Sequence, residues 1–326
     1  MPLEQKPINS PFGAKSVAGE VVRGINLKGK HAIVTGASSG LGIETVRALA
    51  AAGAHVVMPV RSRDKGEKAA AEVRHSTNNS GVEVATMDLE DYASVERFAK
   101  DYVATGKPLD ILINNAGIMA CPERRIGPGI ESQFGTNHIG HMILTCSLAP
   151  ALLKAGKARV VSLSSIGHRR AGINFDDPNF DRRPYDKWEA YGQSKTANAL
   201  FAVDLNRRLE GKGVTAYAVH PGGIMTELQR DLSKDEMKAF GWIDDNGNIN
   251  DRFKTPAGGA ATAAWCATSP LLEKGGGVYC EDCNIAQAVP ASDQSFAGVR
   301  PWAIDPAAAA RLWTLSENLL RKNFPL

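Results

Sequence analysis

At 326 residues, 43% of them apolar, the chain is long enough to bury a sizeable core in one large domain or two small ones. Its 38 Lys and Arg are nearly cancelled by 35 Asp and Glu and lie scattered, which excludes the electrostatic footprint of a nucleic-acid binder. No stretch is apolar for long enough to cross a bilayer, and five cysteines, an odd number, suit a reducing, cytoplasmic setting better than a disulfide framework.

Residues 1–28 read as an appended arm. "MPLEQKPINSPFGAKSVAGEVVRG" lacks the apolar region of a secretory signal, and "AKSVAGEVV" has room for one short helix. Over 29–285, short β-branched runs alternate with helical stretches. The runs are "HAIVTG", "HVVMPV", "VEVATMDL", "LDILINNAG", "RVVSLSS", "VTAYAVHPGG" and "GGGVYCED"; "GLGIETVRALAAAG" and "SVERFAKDYVAT" are typical of what lies between. Such an alternation gives repeated βαβ units, which build a parallel sheet with right-handed crossovers and helices on both faces. The expected fold class is α/β: a Rossmann-type doubly wound parallel sheet of about seven strands forming a single dinucleotide-binding catalytic domain. The strands are almost continuously apolar, as strands buried on both faces are. Pro59 in "HVVMPV" cannot donate to a ladder and is expected where that strand ends. Residues 286–326 form a tail with one helix in "PAAAARLWTLSENLLRK", whose apolar positions recur every three or four residues.

Several loops at strand ends carry chemistry. "TGASSGLG" closes the first strand and opens the first helix, with Gly36, Gly40 and Gly42 giving a tight turn and close backbone approach to a pyrophosphate. Ser38, Ser39 and Leu41 belong to the same turn, where the helix offers unpaired N–H groups and the positive end of its dipole. The next strand ends in "PVRSRDK". An acidic residue there would hold a ribose 2′-hydroxyl, whereas Arg61 accommodates a 2′-phosphate, so NADP(H) is expected over NAD(H). Arg63 could share or replace that role, and a merely solvated Arg61 is the alternative. Asp88, followed by Leu89, either accepts from an adenine amino group or caps a helix. "NNAG" lets the backbone of Asn115, Ala116 and Gly117 pass close to the cofactor, while its asparagine ties neighbouring strands. "HPGG", with Pro221 and Gly222, turns the chain past the nicotinamide, and Thr226 follows within reach of a carboxamide or phosphate.

In "YGQSK", Tyr191 and Lys195 fall one helical turn apart on the same face. A free phenol has a pKa of about 10, and an ammonium nearby favours the phenolate, so Tyr191 is the candidate acid/base with its pKa expected to be lowered. His138, His141 and His168 have no metal-binding spacing and read as hydrogen-bonded structural residues. Cys280 and Cys283 form a C-x-x-C, half of a zinc site without a second half.

With these residues placed, the chain resembles the short-chain dehydrogenase/reductase family from about Leu27 to Cys283. The markers come in order: "TGASSGLG", "DL" at 88, "NNAG" at 114, Asn137, "SS" at 164, "YGQSK" and "HPGG" at 220. "AGEVVRGINLKGKHAIVTGASSG", "VRSRDKG" and "ARLWTLSE" look closest to the retinol-dehydrogenase-like branch, which includes the WW-domain oxidoreductase and relatives of a chloroplast translocon component. The resemblance implies a catalytic set of Asn137, Ser165, Tyr191 and Lys195. In it, Ser165 rather than Ser164 holds the substrate oxygen, Lys195 also holds the nicotinamide ribose, and Asn137 holds a water linking the lysine to solvent. It also allows a homo-oligomer. Two departures stand out: the membrane-anchoring N-terminal helix of many retinol dehydrogenases is absent, and an extra segment over 167–190 separates serine from tyrosine.

The expected reaction interconverts a carbonyl and an alcohol on a small apolar or aromatic substrate, with the nicotinamide moving the hydride. Segments 167–190 and 224–256 should cover the strand ends. Their Phe175, Phe180, Tyr185, Trp188, Phe240, Trp242 and Phe253 either line a substrate lid or anchor loops on the body. A catalytically weak cofactor-binding regulator, or an interaction protein on the same fold, is the alternative.

Overall fold

The computed structural model describes residues 2–326. In chain order the elements are α1 (Ala18–Val21), β1 (His31–Val34), α2 (Gly40–Ala51), β2 (His55–Val60), α3 (Arg63–Thr77), β3 (Val82–Thr86), α4 (Tyr92–Ala104) and β4 (Ile111–Asn114). A small hairpin follows, β5 (Arg125–Ile126) with β6 (Ile130–Glu131), leading into α5 (Ser132–Phe134), a π-helical turn (Gly135–Ile139), α6 (Gly140–Ser147) and α7 (Ala149–Lys154). The second half runs β7 (Ala158–Leu163), α8 (Lys187–Arg208), β8 (Val214–His220), α9 (Lys234–Ala239), α10 (Pro256–Gly259), α11 (Ala261–Thr268), β9 (Val278–Glu281), β10 (Asn284–Ile285) and α12 (Pro306–Leu320).

The main sheet has the order β10-β9-β8-β7-β4-β1-β2-β3. All pairs are parallel except β9 with β10. The seven expected strands are all present. The eighth, β10, is a two-residue antiparallel addition too short to leave a pattern in the sequence. Strand order reverses between β1 and β4, and the crevice at such a reversal is where ligands bind in open α/β sheets.

Alternate strand residues feed two cores, which explains the unbroken apolar runs. Ile33, Leu112 and Val160 face α4, α6, α8 and α12. Val34, Ile113 and Val161 face α1, α2, α3 and α11. Pro59 is the penultimate residue of β2. By strand alternation its missing N–H faces β1, as that of His55 does in donating to Lys30 O, but the β1 pairing has already stopped at Val57. No ladder bond is lost.

Residues 2–28 lie along the body. Leu3 N donates to Gly276 O, Gln5 Nε2 donates to Tyr279 O and Ala286 O, and Val21 and Val22 are buried with the α11 core. At the other end α12 lies on α8: Trp313 stacks on Phe201 at 5.8 Å, and Arg208 sits 4.0 Å over Trp313. Among the described residues no helix is long and apolar enough to cross a membrane.

Candidate active site

A cleft of about 960 Å³ opens over the carboxyl ends of β1, β2, β4, β7 and β8. That is the upper end of the usual range for ligand sites, roughly 300–1,000 Å³. Every residue named above for the cofactor except Arg63 lines it, as do Ser165, Tyr191 and Lys195. Asn137 does not; it is fully buried one layer behind, under Gly117 and Ile118.

The glycine turn is built for close approach. Gly36 has φ +64°, and a Cβ there would lie 2.8 Å from Ala116 Cα. A Cβ on Gly42 would lie 2.3 Å from Gly36 O. The N-cap of α2, Ser39, makes no side-chain capping bond, so the first N–H groups of this 12-residue helix stay available to an anion. Asn115 Nδ2 ties the turn to the neighbouring loop by donating to Thr35 O at 2.8 Å. Asn114 Nδ2 ties β4 to α6 and β7 through Thr145 and Ser162. A narrow floor of main chain, an open helix N-terminus and a cleft of this size fit a dinucleotide.

Arg61 is exposed on the cleft wall and makes no hydrogen bond or salt bridge among the described residues, although its charge acts on Glu90, which is itself paired with Arg124. Arg63 points elsewhere. Its Nη2 lies 3.7 Å from Glu67, and it lines a separate groove with His31 and His55. Lys65, four residues beyond Arg61, is a further cation on the same part of the cleft wall, and Lys195, Arg230, Arg252 and Lys254 line it elsewhere. Asp88 accepts from Glu90 N at 3.0 Å. The cap of α4 is Asp91, which accepts from Ser94 N, so the capping role considered for Asp88 falls to its neighbour.

Tyr191 and Lys195 come from α8, a helix capped by Asp186, which accepts from Trp188 N and Glu189 N. From Ala190 to Leu200 every residue is buried, and Ala190, Gly192, Ala197 and Ala199 let the helix lie close to its surroundings. A Cβ on Gly167 would lie 2.8 Å from Tyr191 Cε1, so that glycine makes room for the ring. Lys195 Nζ sits 5.6 Å from the centre of the Tyr191 ring and donates to Leu163 O at 2.9 Å.

Burial dominates the titration of both groups. It pushes the Tyr191 hydroxyl up to about 12, with the neighbouring Ser165 hydroxyl pulling the other way. It pushes the Lys195 ammonium down to about 8. The lowered phenol expected from the spacing is therefore not what the protein alone imposes, because the ammonium is directed at a carbonyl rather than at the phenolic oxygen.

The two serines divide. Ser164 is buried and donates to Lys195 O at 2.7 Å, joining β7 to α8. Ser165 caps the turn that follows, accepting from Gly167 N at 3.0 Å, and lines the cleft together with Tyr191. Asn137 sits in the π-helical turn, a local widening that recurs at functional sites. Its amide grips one peptide from both ends: Oδ1 accepts from Ile118 N at 2.9 Å and Nδ2 donates to Ile118 O at 3.0 Å. Nδ2 also donates to Ser194 Oγ at 2.9 Å.

The outer cleft is aromatic. Phe240, Trp242 and Phe253 line it, with Trp188 packed edge-on behind Phe240 at 5.0 Å. The other aromatics of 167–190 anchor the segment instead. Tyr185 Oη donates to Cys121 O, Phe180 packs under Arg183, and Phe175 packs under Arg311. Phe296, in the tail, also lines the cleft while 77% exposed; Arg169 and Arg300 hold its loop through Asp293. No motif announces this residue, which only tertiary contacts bring to the site. The five cysteines are buried free thiols, and no group of three or more His, Cys, Asp or Glu among the described residues could hold a metal ion.

With this geometry in hand, comparison with known proteins is specific. A family model described as short chain dehydrogenase matches residues 30–237. The chain is 46% identical to a "Probable oxidoreductase" of Streptomyces antibioticus, over 91% of this chain and 99% of the relative. It is 40% identical to retinol dehydrogenase 12 of Homo sapiens, over 95% of this chain and 93% of that protein. The crystal structure of an uncharacterised protein from Mycobacterium Paratuberculosis is similar with a TM-score of 0.73 and 36% identity, covering 97% of this chain and 100% of that one.

Proposed function

The chain belongs to the short-chain dehydrogenase/reductase family, in its retinol-dehydrogenase-like branch, and on that premise we propose an NADP(H)-dependent oxidoreductase that interconverts a carbonyl and an alcohol on an apolar or aromatic substrate. The observation that carries this reading is the meeting of Tyr191, Ser165 and Lys195 in one cleft with an open helix N-terminus and an unpaired arginine.

The chain's own groups have distinct tasks. The α2 N-terminus and the glycine turn hold the pyrophosphate, and Arg61 with Lys65 holds the 2′-phosphate. Ser165 donates to the substrate oxygen and stabilises the charge that develops there. Tyr191 gives its phenolic proton to that oxygen in reduction and takes it back in oxidation. Lys195 has two further N–H donors for the ribose hydroxyls, and Asn137 holds the loop at Ile118 behind it. The bound nicotinamide supplies or accepts the hydride, and its oxidised ring adds positive charge that favours the phenolate. Met119, Leu228 and the aromatic wall exclude water and suit an apolar substrate.

The test is to follow NADPH and NADH absorbance with purified protein and a panel of apolar and aromatic aldehydes and ketones. Turnover with NADPH is expected, and Tyr191→Phe should abolish it while leaving NADPH binding intact. A Tyr191→Phe protein as fast as wild type would overturn the mechanism.

A further inference from the structure

His141 belongs to none of the groups described so far, yet both of its ring nitrogens are engaged in the buried layer under the cleft. Nδ1 lies 2.8 Å from Asn137 O, and Nε2 lies 2.9 Å from Thr35 Oγ1. The same Thr35 oxygen accepts from Asn115 N at 2.9 Å and from Ala116 N at 3.0 Å. Two residues further on, Ile118 is gripped by the Asn137 amide. The bonds therefore close a ring: Thr35 to the loop at Asn115 and Ala116, along the chain to Ile118, across to Asn137, through His141, and back to Thr35. Thr35, Asn137 and His141 are each at most 2% exposed.

Only one arrangement of protons fits. Asn137 O is a carbonyl and can only accept, so His141 carries its proton on Nδ1. Nε2 is then bare and takes the Thr35 hydroxyl proton, which leaves the Thr35 lone pairs for the two peptide N–H groups. The carbonyl of Ile113, 3.4 Å from Thr35 Oγ1, is the longer alternative for that hydroxyl. Burial pushes the imidazole down to about 4, and the Lys195 charge acts in the same direction, so the ring is neutral at physiological pH.

The members of this ring are a selected set. Thr35 precedes the first glycine of the cofactor turn. Asn115 to Ile118 form the loop whose backbone floors the cleft. Asn137 also bonds Ser194, the residue before Lys195. We propose that His141, as the neutral Nδ1–H tautomer, is a positioning residue that locks the cofactor turn and the Asn115–Ile118 loop to the turn bearing Asn137, so that dinucleotide binding and catalysis are set by one hydrogen-bonded ring. Without His141 the ring opens at two buried acceptor or donor groups, a loss large enough to reach beyond fold stability into the cleft floor. The inference rests on the dinucleotide-binding reading above.

The experiment uses the full chain and two readouts, the Kd for NADPH by fluorescence and kcat for carbonyl reduction. Wild type is measured first: absence of any NADPH or NADH binding by it would overturn the functional reading itself, before any variant is made. Given binding, His141→Phe should raise the NADPH Kd about tenfold and lower kcat by a similar factor. His141→Gln, whose amide can donate to Asn137 O and accept from Thr35, should restore most of both. Thr35→Val opens the same ring, so the double variant Thr35→Val with His141→Phe should be little worse than either single one. Where His141→Phe does not fold, His141→Gln, Thr35→Val and their combination carry the comparison. A folded His141→Phe within twofold of wild type in both readouts, a His141→Gln as impaired as His141→Phe, or fully additive effects would each overturn the proposal.

Discussion

Lys195 holds its ammonium 5.6 Å from the centre of the Tyr191 ring while donating to the carbonyl of Leu163, and both side chains are at most 5% exposed. The pair therefore shares a low-dielectric environment without a direct bond from ammonium to phenol.

This arrangement sets a pH dependence. The Lys195 ammonium is pushed down to about 8 and the Tyr191 phenol up to about 12, so between those values the lysine loses its charge while the tyrosine keeps its proton. The pH dependence of kcat/KM reports groups of the free enzyme. For carbonyl reduction it should be flat over about pH 6 to 7.5 and fall above about 8. Lys195→Gln should remove that alkaline limb and lower the rate about a hundredfold.

The two adjacent serines should separate cleanly. Ser165→Ala removes the hydroxyl proposed to hold the substrate oxygen beside Tyr191 in the cleft, and kcat should drop about a hundredfold at little cost to the fold. Ser164→Ala removes a buried donor to Lys195 O, so it should cost about 1–3 kcal/mol of stability, read by urea unfolding, with kcat reduced far less.

Arg61 should decide between cofactors. It lies exposed on the cleft wall with no hydrogen bond or salt bridge among the described residues, and a phosphate there would gain a charge-assisted contact. Arg61→Ala should weaken NADPH binding about tenfold and NADH binding hardly at all, and the NADPH preference of wild type should shrink as salt rises. Comparable losses for both cofactors would place the 2′-phosphate contact elsewhere.

Acid should unfold the protein earlier than carboxylates alone would. His138 and His220 are pushed down to about 3, and His141 and His168 to about 4, in each case chiefly by burial. A group whose folded pKa is depressed contributes stability that is present above its unfolded value, near 6.5, and lost as pH falls towards the folded value. Each histidine should contribute a slope of up to about 1.4 kcal/mol per pH unit within that window. Urea unfolding at pH 7.5, 6 and 5 should show a steep loss of stability beginning just below 6.5.

The seven expected strands were legible because β-branched runs and glycine turns leave local patterns, and the same turns fall at the carboxyl ends of the strands, around the cleft. What escaped was set by tertiary structure. β10 is two residues long. The π-helical turn at Asn137 comes from one extra residue per turn, which no side-chain pattern marks. The spacing of Tyr191 and Lys195 gave their shared helix face but not the direction of the ammonium, which in the chain alone leaves burial to push the phenol up. Phe296 reaches the cleft only because Arg169 and Arg300 hold its loop from distant parts of the chain.

The stacking of Trp313 on Phe201, and the 2.8 Å contact between Ser316 Oγ and His138 Nε2, make the last helix a splint for the helix that carries Tyr191 and for the turn next to Asn137. A chain shortened to end at residue 305 would keep every proposed reacting group and still expose the outer side of their scaffold to water. Attachment of a tag or a fusion partner is therefore better tolerated after the final residue than in place of the helix before it.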